Sequence, residues 1–133
     1  MNKDRLLFIY LFIFLVMTLG AASWQILIPD IAEKYSSWNL STGWQREIAL
    51  WNIGVDLAII VTLIKRNTEY AQILTFMATA LCFLLGMNHF ISALTYSSNT
   101  ALHWLGAIEV LGIGTVFGLY ALYKSKFFSK FQG

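Results

Sequence analysis

Long apolar runs alternate along this chain with short clusters of charge. Four runs stand out, residues 6–22, 44–64, 71–94 and 104–122. Each approaches the roughly 20 residues that cross about 30 Å of hydrocarbon at 1.5 Å per residue. The links between them are too short for a separate soluble domain. The pattern predicts an all-α polytopic membrane protein, residues 1–133 forming a single four-transmembrane-helix bundle. The 65–70 link is short, so spans two and three are expected to be antiparallel neighbours.

Between spans one and two lies residues 23–43, the one sizeable connection. Pro29 suits the first position of a helix, and Asp30 and Glu33 suit its first turn. Ile31, Tyr35 and Trp38 then recur on one face, which predicts a short interfacial helix that either lids a pocket or anchors the chain. Asn39-Leu40-Ser41 fits a glycosylation sequon by spacing alone. Thr42-Gly43-Trp44-Gln45 reads as a capping box opening span two, giving Gln45 a structural role. An offset of 60 aligns Trp44 with Trp104, Ile48 with Ile108, Ile53 with Ile113 and Gly54 with Gly114, a faint parallel repeat.

Composition agrees. The chain is 58% hydrophobic and 12% charged, half the charged share of a soluble domain, roughly a quarter. Lys3, Arg5, Lys65, Arg66, Lys124, Lys126 and Lys130 flank one side of the spans, and Lys34 and Arg46 the other. That bias predicts cytoplasmic N and C termini. Trp24, Trp38, Trp44 and Trp104 gather at the opposite ends as an outer aromatic belt. Lys3 and Arg5, an apolar core and Gly20-Ala21-Ala22-Ser23 also resemble a secretory signal; the length of the run favours a retained helix. The tail 123–131 interleaves lysine with phenylalanine, which suits an anionic inner leaflet or a stop-transfer flank; nucleic acid is the weaker reading and no nucleic-acid partner is predicted, because no folded basic surface accompanies the tail. Cys82 is a lone cysteine, so there is no disulfide framework.

Chemistry is concentrated in six polar residues inside the apolar runs: Glu47, Asn52, Asp56, Asn88, His89 and Glu109. Ionisable groups in hydrocarbon are costly and usually mark a site. Counting 1.5 Å per residue, Glu47 lies near the outer interface, Asn52 about 12 Å in and Asp56 about 18 Å in. Asn88 and His89 lie about 8 Å below the outer face and Glu109 about 7 Å. Shared depth predicts a polar pocket in the outer half of the bilayer, with Glu47, Asn52, Asn88, His89 and Glu109 as ligand-binding or proton-relay residues. Asp56, Gln45 and Trp51 are further candidates.

Rotation at 100° per residue divides the candidates. Asn52 and Asp56 share one face of span two, and Glu47, Trp51, Gly54 and Ala58 another. On span three, Thr75, Thr79, Cys82, Gly86 and His89 form a seam of small residues at heptad spacing. On span four, Ala107, Gly114, Gly118 and Ala121 form a small-residue face opposite Glu109. Gly114 and Gly118 are expected to pack helices, within the bundle or in a homodimer through that face. His89 paired with Glu109 would be a protonation-coupled switch.

Metal binding would draw on His89, Glu109, Glu47 and His103, but no HxxxH or HxxE spacing supports it, and no metal site is predicted. Haem ligation by His89 and His103 is disfavoured by their different depths. The pattern names no cofactor and no catalytic residue, and it does not decide whether the protein is an enzyme.

Thr42-Gly43-Trp44-Gln45-Arg46-Glu47-Ile48, followed by Asn52-Ile53-Gly54, resembles small four-helix bacterial membrane proteins with a Ser-Pro-Phe-Gln-x-Glu stretch leading into Asn-x-Gly. Phe83-Leu84-Leu85-Gly86-Met87-Asn88-His89 is similar to their later glycine-rich helix. The sequence departs from that pattern at Gly43, where the family favours proline, and at Asp56, where it favours glycine. The layout also resembles DoxX-like membrane proteins, some linked to quinone-dependent oxidoreductases. These resemblances imply a bacterial cytoplasmic membrane and point to Gln45, Glu47, Asn52 and His89. Three functions follow as expectations: binding or translocation of a small ligand or proton; a quinone-linked or lipid-modifying enzyme acting on a small apolar or quinone-like ligand; or an accessory subunit of a membrane complex. The lipid bilayer is the common partner.

Overall fold

The computed structural model describes residues 4–39 and 41–131. Lys3 and Leu40 of the sequon lie outside the described residues, as do the side chains of Glu33, Lys130 and Phe131. The described chain is all-helical: α1 (Arg5–Leu27), α2 (Asp30–Tyr35), α3 (Thr42–Lys65), α4 (Thr68–Thr95) and a last span, Ala101–Lys124. That span is α5 (Ala101–Ala107), a π-helical stretch Ile108–Phe117 and α6 (Gly118–Lys124), followed by a 3₁₀ turn at Phe127–Phe131. Four helices are long and apolar enough to cross a membrane.

The core is built where small residues let helices approach. Leu7, Tyr10, Leu11, Phe14 and Leu15 form a buried stripe on α1 at helical spacing. On α4 the buried positions include Ala71, Thr75, Ala78, Thr79, Cys82 and Gly86, and on the last span Ala107, Gly114, Gly118, Ala121 and Leu122. A Cβ on Gly114 would strike Cys82, and one on Gly118 would strike Thr79 and the Tyr10 ring. The face that the sequence left open to the bundle or to a second copy is filled by α4 and α1 of the same chain. The outward surfaces carry Phe12, Leu57, Ile73, Leu84 and Val116, an exposure that hydrocarbon accepts and water penalises.

Tyr10 is the polar centre of this packing. Its hydroxyl donates to the Gly114 carbonyl at 2.7 Å, while its ring stacks on Phe14 and meets Phe117 edge-on. The acceptor lies in the π stretch, where Thr115 also bonds back to the Val110 carbonyl, five residues earlier. Neighbouring side chains of this kind help satisfy backbone groups in an irregular membrane helix. Replacing Tyr10 with Phe removes the donor and keeps the ring. We expect a loss of about 0.6 to 2 kcal/mol, read as a lowered unfolding midpoint in micelles.

Three local expectations are corrected. Helix α3 is capped at Ser41, without a side-chain cap bond; Thr42 is already helical, so its hydroxyl forms no capping box, and Gln45 Oε1 is buried without a partner. Helix α2 stops at Tyr35, so Trp38 lies beyond it rather than on its face. Helices α3 and α4 follow each other through Arg66 in a left-handed C-cap and Asn67, which caps α4 by accepting from the Tyr70 amide at 2.9 Å. Yet α3 packs mainly on α1, whereas α4 packs mainly on the last span. The two splay around a groove of about 480 Å³ lined by Leu57, Ala58, Val61, Thr62, Tyr70, Ile73 and Leu74.

Candidate functional site

Two polar centres emerge, one at the end of the bundle where α4 finishes and one between α1 and α3. The first is assembled from three segments. His89 and Ser92 come from α4, His103 from the first turn of α5, and Ser36, Ser37 and Trp38 from the stretch after α2. Helix α4 runs on past His89 to Thr95, and the chain then folds back so that the start of α5 lies beside it. This doubling back cancels the depth difference expected for the two histidines. His89 Nδ1 and His103 Nδ1 are 3.3 Å apart.

Trp38 covers the pair. Its ring stacks on His89 with centroids 4.9 Å apart and tilts over His103 at 4.6 Å. Its indole Nε1–H donates to Ser92 Oγ at 3.1 Å, and its amide donates to Ser36 Oγ at 3.1 Å. Tyr96 also stacks on His103, with centroids 6.4 Å apart. Gly106 provides the room: a Cβ there would meet the His89 ring at 3.0 Å. His103 is fully buried.

Hydrogen-bond direction fixes the tautomers. The Ser37 backbone N–H donates to His103 Nε2 at 3.2 Å, and an amide has no other role, so Nε2 is an acceptor. Ser37 Oγ lies 2.7 Å from the same nitrogen and Ser36 Oγ 3.3 Å. A neutral His103 then carries its hydrogen on Nδ1 and donates it to His89 Nδ1. His89 in turn carries its hydrogen on Nε2. A further proton on His89 Nδ1 would set N–H against N–H; relieving that moves the His103 hydrogen to Nε2, where it opposes the Ser37 amide. The neutral pair and the Ser37 amide are thus joined in one hydrogen-bonded chain.

The second centre is Asp56, which is 2% exposed. Its Oδ1 lies 2.5 Å from Thr18 Oγ1 of α1, and its Oδ2 is buried without a partner among the described residues.

Among the described residues, no hydrogen bond joins the remaining candidates to either centre. Glu47 and Asn88 are exposed, Asn52, Glu109 and Gln45 half-buried, and Trp51 is 71% exposed. His89 meets His103 and Trp38 rather than Glu109. Among the described residues no group of three or more His, Cys, Asp or Glu side chains is placed to hold a metal. Sequence reasoning missed Ser36 and Ser37, weighed His103 only as a metal or haem ligand, and placed Trp38 only on the interfacial helix and in the outer aromatic belt. The available signal was a second histidine just past the turn from His89, with a glycine three residues on.

The fold and site define an all-helical protein with the four apolar helices of a multi-pass membrane protein and a histidine pair at one end of its bundle. No family model, curated protein or solved structure matches the chain.

Proposed function

We propose that this is a multi-pass protein of a bacterial cytoplasmic membrane that binds a proton at its His89–His103 pair and reports it through the Ser36–Trp38 segment. The observation that carries this reading is the 3.3 Å Nδ1 to Nδ1 contact, with His103 Nε2 held by the Ser37 amide. The charge bias supports cytoplasmic termini, which puts the pair on the outer side. Helix α2 then lies in the outer interface, next to the segment that covers the pair. Quinone-linked chemistry is less well supported, because the apolar groove between α3 and α4 lies toward the opposite end of both helices from the histidines.

The test is nitrogen NMR on protein carrying labelled histidine in nanodiscs. At neutral pH we expect His103 as the Nδ1–H tautomer and His89 as Nε2–H. The closed arrangement needs the neutral pair, so it is present at high pH and lost when the pair takes up a proton at low pH. Faster amide exchange at Ser37 and Trp38 should accompany that loss. Two histidines titrating independently, with no change at Ser37, would reject the proposal and leave a helix-gluing role, as in an accessory subunit.

A further inference from the structure

The second centre does not depend on the histidines. A hydroxyl has a single hydrogen, yet Thr18 Oγ1 has three oxygens in reach: Asp56 Oδ1 at 2.5 Å, the Phe14 carbonyl at 2.8 Å and the Leu15 carbonyl at 3.2 Å. Both carbonyls can only accept. If Asp56 is ionised, Thr18 must leave one of its close acceptors unserved, and Oδ2 becomes a buried anionic oxygen with no donor. If Asp56 carries a proton on Oδ1, it donates to Thr18 Oγ1, and the Thr18 hydrogen goes to the Phe14 carbonyl. The protonated arrangement satisfies the short contacts, and a neutral acid tolerates a bare carbonyl oxygen far better than an anion does.

The charged surroundings do not alter this. Of the elements packed on α3, α1 carries Arg5 at its far end, and α4 carries Glu69 at its start and His89 near its close. Among the described residues, none of these bonds to Asp56. Asp56 and Thr18 both lie well inside their spans, about nine residues or more from either helix end (about 13 Å at 1.5 Å per residue).

We propose that Asp56, with Thr18 as its hydrogen-bond partner, is a proton-binding carboxyl buried within the membrane and separate from the histidine pair. Its chemical signature is reaction with an apolar carbodiimide from the lipid phase. The acid proton passes to a carbodiimide nitrogen, the carboxylate oxygen adds to the central carbon, and the adduct rearranges to a stable N-acylurea with no group lost.

The experiment treats the full chain in proteoliposomes with dicyclohexylcarbodiimide, and in parallel with a water-soluble carbodiimide, followed by peptide mass spectrometry. We expect label at Asp56 from the apolar reagent, severalfold above that from the soluble one. Yield should fall severalfold from mildly acidic to alkaline pH. Asp56→Asn, whose amide can still donate to Thr18, should fold and lose the label. His103→Ala should keep it, which separates this site from the histidine proposal. No label at Asp56 while Glu47 or Glu109 reacts, pH-independent label, or protection by sodium ions would each overturn the assignment; the last would mark a cation site instead.

Discussion

Gly118→Val should strongly destabilise the packing of the bundle. The added Cβ meets Thr79 Oγ1 and the Tyr10 ring, and neither can retreat easily. Thr79 is fixed by its 2.6 Å bond to the Thr75 carbonyl, and Tyr10 by its bond to Gly114. Overpacking of this kind costs about 1–3 kcal/mol, and displacement of Tyr10 adds the loss of an interhelical bond, about 0.6 to 2 kcal/mol. The same side chain at Gly112 is the control, because nothing lies within 4 Å of a Cβ there. Unfolding in mixed micelles should separate the two variants by more than about 1.5 kcal/mol. Equal midpoints would mean that α1, α4 and the last span do not meet through Gly118.

His103→Ala should have an effect of comparable size, and its readout is local. The change removes a fully buried ring, the acceptor of the Ser37 amide and one of the two surfaces under Trp38. Truncation of a large buried side chain costs about 2–5 kcal/mol, and Ser37 is left with a donor to satisfy. We expect faster proteolysis and amide exchange confined to Ser36–Trp38, with a shift in Trp38 emission read in a background lacking the other tryptophans. His89→Ala should do less, because the bond from Ser37 to His103 survives it. If His89→Ala releases the segment and His103→Ala does not, the assigned bonding order is reversed.

The two centres also show why depth alone was a poor guide to the site. Residue counting placed six polar groups inside the spans but fixed their rotation only loosely. Helix α3 packs chiefly on α1, so the Asn52–Asp56 side turns inward and the Glu47, Trp51, Gly54 and Ala58 face is left exposed. On the last span, ten residues of π-helix advance with a different turn from the α-helix assumed in the count. The relation between Glu109 and the glycine face was therefore read on the wrong period. Trp38 does not continue the face of α2, because the helix ends three residues before it.

The class of structure follows from the order of residues alone. Apolar runs of spanning length, charge clustered at their ends and seams of small residues are local properties, and hydrocarbon length and backbone hydrogen bonding leave few ways to satisfy them. That order also singles out Asp56 and His89, because polar groups in apolar runs are visible without a fold. Which of those groups meet depends on how the helices dock. The return of the chain after α4 set His103 against His89, the segment after α2 supplied Ser37 and Trp38, and the docking of α3 on α1 gave Asp56 to Thr18. Those pairings join residues 14, 38 and 66 positions apart. Periodicity within one helix carries no information about them, since they depend on how separate helices rotate and slide against one another.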